Sequence, residues 1–208
     1  MKGKLIVLLL ILTAFKQPIV AQPRLRFGLL GGLNGNLIHA TYLGPNSESK
    51  PRWDYTTGVS VDHWLTSSLT LGYNLLYSRQ GGAELITSKI GYGSTKMMTE
   101  FSYLTLPVMV RYHLGGGRFF ISGGPQIGYL LKAKWYAAGF ESSAQSWDLA
   151  YMRRFDVGLT GGLGYRLGRH VVLESRYYYG LNPFNETDPQ TNYKEYNRTW
   201  ASNLVYYF

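Results

Sequence analysis

Two runs inside Phe155 to Leu181 alternate with a period of two, and the short link Leu167-Gly168-Arg169-His170 joins them. In the first run Phe155, Val157, Leu159, Leu163, Tyr165 and Leu167 share one parity, against Asp156, Gly158, Thr160, Gly162, Gly164 and Arg166. In the second, Val171, Leu173, Tyr177 and Tyr179 oppose Glu174, Arg176 and Tyr178. A strand sends alternate side chains to opposite faces, so each run has one apolar face and one small, polar or charged face. The link has room only for a tight reversal, which makes the pair a hairpin. Strands of soluble sandwiches commonly run about five or six residues, whereas a tilted strand that crosses a bilayer needs about nine to eleven. Both runs reach the second length, so the apolar face is expected to meet lipid and the polar face to line a barrel.

The N-terminus fits an exported chain. Met1-Lys2-Gly3-Lys4 precedes the apolar run Leu5 to Phe15, and Ile19-Val20-Ala21 places a small residue before Gln22. A basic start, a short apolar run and a small residue at the boundary are the parts of a cleavable signal peptide, expected at residues 1–21. The apolar run is too short for a spanning helix, which needs about twenty residues. No later stretch is apolar for long enough either. A mature chain of residues 22–208 that sits in a membrane must then do so as a closed barrel. The chain has no cysteine, which excludes disulfides, a thiol nucleophile and a lipidated cysteine. The formal charge of +9 falls to about +6 once Lys2, Lys4 and Lys16 leave with the leader. A basic balance suits nucleic acid or anionic lipid, and export favours lipid.

The same alternation recurs along the chain. Strands are expected at about Leu25–Asn34, Trp53–His63, Ser68–Arg79, Phe101–Leu114 and Arg118–Leu131, then in the hairpin, and last at Arg198–Phe208. Pro107 falls inside the fourth and is expected at a bulge or a local break in pairing. The eight strands are joined by connections that run long, short, long, short, long, short, long. An even count with long loops on one side and tight turns on the other is the pattern of outer-membrane barrels, with both termini on the short-turn side. Eighteen tyrosines and a 16% charged fraction suit aromatic girdles. Trp53, Trp64, Trp135 and Trp200 lie near strand ends, and Tyr55, Tyr129, Tyr177, Tyr179 and Tyr206 extend the set. In the last strand Trp200, Leu204, Tyr206 and Phe208 share the outer parity, an arrangement that looks like the signal read by the outer-membrane insertion machinery.

Three stretches resemble one family, the small outer-membrane β-barrel proteins called PorT-like or porin-family. They are Tyr103 to Tyr112 (YLTLPVMVRY), Phe119 to Leu131 with Gly123-Gly124-Pro125, and Phe155 to Leu181 with Arg176-Tyr-Tyr-Tyr-Gly180-Leu. Tyr73 to Gly82 (YNLLYSRQGG) is similar to that family's third strand. The resemblance covers nearly the whole mature chain and implies an eight-stranded barrel. The family usually has an acidic residue where Thr105 stands. One named member is an accessory factor in protein secretion, which the resemblance carries as an alternative role.

The inner parity holds Arg26, Asp62, Arg111, Asp156, Arg166, Glu174 and Arg176. A barrel of eight strands is filled by side chains, and buried charges are costly unless paired, so these seven are expected to form lumen ion pairs. Glu174 and Arg176 face one way, and Glu174 and Arg166 are expected within reach across the hairpin. A proton path or small-ligand site is the sharper alternative. His39, His63, His113 and His170 show no metal-ligand spacing. No G-x-S-x-G, H-E-x-x-H or Walker sequence occurs. The glycine runs Gly28–Gly35 and Gly161–Gly164 lack the following helix of a dinucleotide loop, so small residues facing a narrow lumen explain them better. On the loop side Lys132, Lys134, Arg153 and Arg154 are expected to contact lipopolysaccharide phosphates.

These features predict an all-β protein: an eight-stranded antiparallel up-and-down transmembrane β-barrel at residues 22–208, after the signal peptide. They predict an integral outer-membrane protein without enzymatic activity or cofactors. Its partners are outer-membrane lipid, lipopolysaccharide and, during biogenesis, the insertion machinery, with no nucleic acid. Its role is membrane-structural or works through loops placed outside the cell, with both termini in the periplasm. With Phe208 as the final residue, no separate cell-wall-binding domain is expected. Two rivals stand beside this reading. A secreted lipocalin-like barrel needs the apolar parity turned inward around a ligand. A membrane-embedded enzyme acting on lipids or peptides needs a convergent His/Ser/Asp or carboxylate group on the loop side.

Overall fold

The computed structural model describes residues 24–41, 47–87, 93–114, 117–149, 152–185 and 193–208. The expected leader and its boundary at Ala21 lie outside these. Eight long strands form the fold: β1 (Arg24–Ala40), β2 (Arg52–Trp64), β3 (Leu69–Thr87), β4 (Ser94–Leu114), β5 (Phe119–Ala137), β6 (Phe155–Arg166), β7 (Val171–Gly180) and β8 (Glu195–Tyr207). Each pairs antiparallel with its sequence neighbour. The ring closes where β1 meets β8, from Gly28 opposite Tyr207 to Ala40 opposite Glu195. Closure leaves no free edge among the eight, which is the condition for a sheet to sit in hydrocarbon.

The apolar parity faces outward. Phe27, Leu33, Leu159 and Leu163 are each more than half exposed, while Asn34, Asn74 and Arg111 on the opposite parity are 1% exposed. This inverts a soluble protein and removes the requirement of the lipocalin-like rival. The links β2–β3, β4–β5 and β6–β7 are four residues each, and β1 begins and β8 ends at that same side of the ring.

The strands run further toward the long-loop end than alternation indicates. β3 and β4 pair from Leu69–Tyr112 up to Thr87–Ser94, so much of the expected loop between Gln80 and Thr99 is ladder. Gly81 permits this at one point: its φ is +132°, and a Cβ there would lie 2.1 Å from the Thr99 carbonyl oxygen. Short strands Ser47–Lys50 and Gln145–Ser146 add to β3 and β5.

Pro107 sits opposite Gln126, and the next two positions, Val108 and Met109, have no partners across β4–β5. The register is unchanged beyond them. The shift lies instead at Ser102/Tyr103, where Leu131 is the extra residue between Leu130 and Lys132. Such a bulge puts two successive side chains on one side. Leu131 and Lys132 are both exposed, and Ala133 turns inward.

Candidate functional site

Among the described residues the lumen gathers buried charged and polar groups, and it is arranged in tiers. Toward the short-turn end, Arg111 is buried between two carboxylates. It hydrogen-bonds Asp62 through Nη1 and forms an ion pair with Glu174 at 2.9 Å through Nη2. Glu174 also accepts from Arg176. The Tyr207 hydroxyl lies 3.2 Å from Arg111 Nη1 and 3.0 Å from Ser60 Oγ. Gly72 on β3 makes room for this arginine, since a Cβ there would lie 2.7 Å from the guanidinium carbon. A Cβ on Gly164 would likewise strike the Phe120 ring at 2.0 Å. These glycines are small because large side chains face them across a narrow bore.

The expected contact between Glu174 and Arg166 is not made. Across the hairpin Glu174 sits opposite Gly164, and Arg166 sits opposite Val172, one step nearer the turn. Arg166 instead places its guanidinium over the Trp64 ring, 4.7 Å from the centroid. Arg26 lies over Tyr207 at 4.9 Å and donates to the Arg169 carbonyl. Among the described residues Asp156 makes no ion pair with an arginine either. It accepts from Tyr178 Oη and from Asn197 Nδ2, both at 2.7 Å.

Nearer the long-loop end is a second charge group that alternation did not single out. Arg52 reaches Asp54 at 3.0 Å and Glu100 at 2.8 Å, while Arg79 contacts Glu100 and lies 3.6 Å from Asp54. Asn36 joins it to the wall by donating to Asp54 at 3.3 Å and accepting from Thr199 at 2.9 Å. Between the tiers, a polar cavity of about 30 Å³ is lined by residues including Asn34, Thr56, Gln126, Thr160 and Asn203. That is room for a water molecule or two, not for a solute.

An apolar cap lies at the long-loop end of the lumen. Phe101, Tyr103, Leu130 and Ala133 on the wall pack with Met152 and Phe184 from two different loops, all six buried. The Phe101 and Phe184 rings meet edge to face at 4.8 Å. Backbone bonds fix the loops to each other and to β8: Arg153 N–H donates to the Phe184 carbonyl at 2.9 Å, and Phe184 N–H to that of Glu195 at 3.0 Å. Alternation puts Phe101 and Tyr103 on the inner parity with Arg111, but it marks neither Met152 nor Phe184. The only signal is that Met152 and Phe184 are apolar residues within polar loops.

The outer surface carries the remaining sites. Trp200, Leu204, Tyr206 and Phe208 all project outward on the last strand, with Phe208 70% exposed. Trp53, Tyr55, Tyr129, Tyr177 and Tyr179 are also exposed on the outside. Trp64 departs from the expected girdle: it stacks on His113 at 4.5 Å and lies under Arg166, at the short-turn mouth of the lumen. Lys132, Arg153 and Arg154 are exposed and Lys134 is half-buried. The Arg154 carbonyl accepts from Leu130 N–H at 2.7 Å, so the four occupy adjoining stretches of β5 and the entry to β6. Among the described residues, no group of three or more His, Asp or Glu could hold a metal ion.

The sequence profile described as outer membrane protein beta-barrel domain matches residues 20–186. The chain belongs to that family. No curated protein sequence matches it. Neisserial surface protein A, a solved barrel, is 13% identical with a TM-score of 0.52, over 88% of this chain and 97% of that one. At that identity the likeness of this outer-membrane barrel shows the fold alone. The Ail attachment invasion locus protein of Yersinia pestis, solved with the heparin analogue sucrose octasulfate, is 12% identical with a TM-score of 0.47, over 89% and 99% of the two chains. OprG of Pseudomonas aeruginosa is 12% identical with a TM-score of 0.46, over 90% and 98%.

Proposed function

We propose that this outer-membrane barrel is non-enzymatic and works at its long-loop surface. It reaches the outer membrane behind a cleaved leader at residues 1–21, with long loops outside the cell and both termini in the periplasm. It belongs on this reading among the PorT-like barrels, and its Trp200–Phe208 face is what the insertion machinery reads. The observation that carries the reading is the combination of an outward apolar wall with a lumen filled and capped. A bore of that kind passes no solute, which leaves the outer rim and the loops as the working surface.

Lys132, Lys134, Arg153 and Arg154 hold lipopolysaccharide phosphates at that rim. Cations at an anionic membrane surface gain about 1 kcal/mol each, and the bulge at Leu131 turns Lys132 to the outside of the wall. The test is replacement of all four by Glu, with unfolding followed in phospholipid vesicles with and without lipopolysaccharide. The parent gains stability from lipopolysaccharide and the variant loses that gain, while both behave alike in plain phospholipid. Equal gains in the two proteins would end the assignment.

A further inference from the structure

The short-turn half of the lumen holds four arginines, Arg26, Arg111, Arg166 and Arg176, against two carboxylates, Asp62 and Glu174. Both carboxylates are committed, Asp62 to Arg111 and Glu174 to Arg111 and Arg176. Among the described residues no ion pair joins Arg26 or Arg166 to a carboxylate. The long-loop half differs, since Arg52 and Arg79 there are matched by Asp54 and Glu100. The surplus is therefore local: two positive charges at one mouth of the barrel.

Those two guanidinium groups are also held in place. Arg26 lies over the Tyr207 ring and Arg166 over the Trp64 ring, and Trp64 is itself stacked on His113. His113 is anchored by a 2.9 Å hydrogen bond with Thr70 Oγ1. Arg166 is within coulombic reach of Arg26 and Arg111 and also of Asp62, the carboxylate already paired with Arg111, and its buried Nε has no hydrogen-bond partner. Like charges near one another and partly desolvated are unfavourable where one shared carboxylate is all that offsets them. Stacking on an aromatic face leaves the edges of a guanidinium open, and those edges carry the donors that grip oxyanions in pairs, although Arg26 commits one Nη2 donor to the Arg169 carbonyl.

We propose that Arg26 and Arg166 form a phosphate-binding site at the short-turn mouth of the barrel. Inorganic phosphate, which carries up to two negative charges, matches the local surplus, a phosphodiester headgroup with one negative charge offsets half of it, and two guanidinium forks match the acceptor oxygens of either. The phosphate is either free or part of a phospholipid headgroup in the leaflet that borders this mouth. The site uses none of the outer-rim cations, so its failure and theirs are read separately.

The test uses the folded barrel in non-ionic detergent, with inorganic phosphate titrated against chloride at constant ionic strength. Thermal unfolding and the phosphorus resonance linewidth of the added phosphate are followed together. The unfolding midpoint is expected to rise with phosphate and to saturate, as binding to the folded state alone requires. Arg26→Gln and Arg166→Gln each weaken the half-saturation point at least tenfold, and the double variant abolishes the rise. Arg166→Lys, which keeps the charge, retains part of it. Circular dichroism and the boiling-dependent gel shift establish that each variant is folded. A second arm replaces inorganic phosphate with phosphatidylglycerol in phosphatidylcholine vesicles. An Arg-dependent, saturating effect of phosphatidylglycerol alone assigns the site to a lipid headgroup. A rise that chloride reproduces, one that the double variant keeps, or no Arg-dependent effect in either arm overturns the proposal.

Discussion

At the scale of the residue, Glu174 has the widest responsibility. It is buried and shared between Arg111 and Arg176, so removing it leaves two arginines in the bore with Asp62 alone to balance them. Breaking a buried pair by removing one partner costs about 3–5 kcal/mol. Glu174→Ala is expected to lower unfolding stability by that order, measured by urea titration in lipid vesicles. A loss under about 1 kcal/mol would place the arginines in water and remove the sealed-lumen description. The charged parity of the hairpin was legible because alternation put Asp156, Arg166, Glu174 and Arg176 on one face. Which carboxylate serves which arginine was not, because partners on other strands depend on register and stagger. Arg111 meets Glu174 across the bore, a distance the sequence cannot express, and Arg166 finds an indole instead of a carboxylate. Trp64 misled for a related reason. Position near a strand end suggested the lipid interface, but its parity, shared with Asp62, directs it into the lumen mouth.

At the scale of the element, the strands were read well within the membrane and poorly beyond it. Period-two patterning exists where one face meets hydrocarbon and the other a polar lumen. Past the girdle both faces meet water or loops, so Gln80–Thr87 and Ser94–Glu100 carry no apolar parity although they are ladder. The cap falls in the same blind region, since it depends on two separate long connections, β5–β6 and β7–β8, converging. Phe184 is its centre, packed on Phe101 and fixed by backbone bonds to Arg153 and Glu195. A fully buried Phe replaced by Ala costs about 3–5 kcal/mol where its surroundings cannot collapse. Phe184→Ala is expected to release the loops without opening the barrel, because the wall ladders do not pass through the cap. Amide exchange should therefore quicken at Arg153, Phe184 and the start of β8, and remain slow in the middle of β6 and β7. Uniform acceleration along all strands would show that the cap and wall unfold as one unit.

At the scale of the whole molecule, closure and the outward turn of the apolar face were legible because each is over-determined. Strand length, an even count, alternating loop lengths and the outward parity all call for the same ring. The decisive property is that the exposed face is apolar, and it supports a prediction graded by depth. Leu159 is 54% exposed midway along β6, and Leu167 is 58% exposed just beyond the strand at the short-turn end. On a soluble protein, a charge at either exposed position would change stability by no more than about 0.5 kcal/mol. In a bilayer the two differ, because arginine on the lipid face costs about 2–4 kcal/mol at the midplane and about 0–1 near the interface. Leu159→Arg is thus expected to lower unfolding stability in phospholipid vesicles by at least about 2 kcal/mol, and Leu167→Arg by about 1 or less. Equal and small effects at both positions would mean that water covers this wall. A large effect at Leu167 with little at Leu159 would shift the hydrocarbon band toward the short turns and away from the level where Trp53 and Trp200 stand exposed on the outside. The predicted gradient sets the midplane near the centre of β6, with those indoles at the interface on the long-loop side.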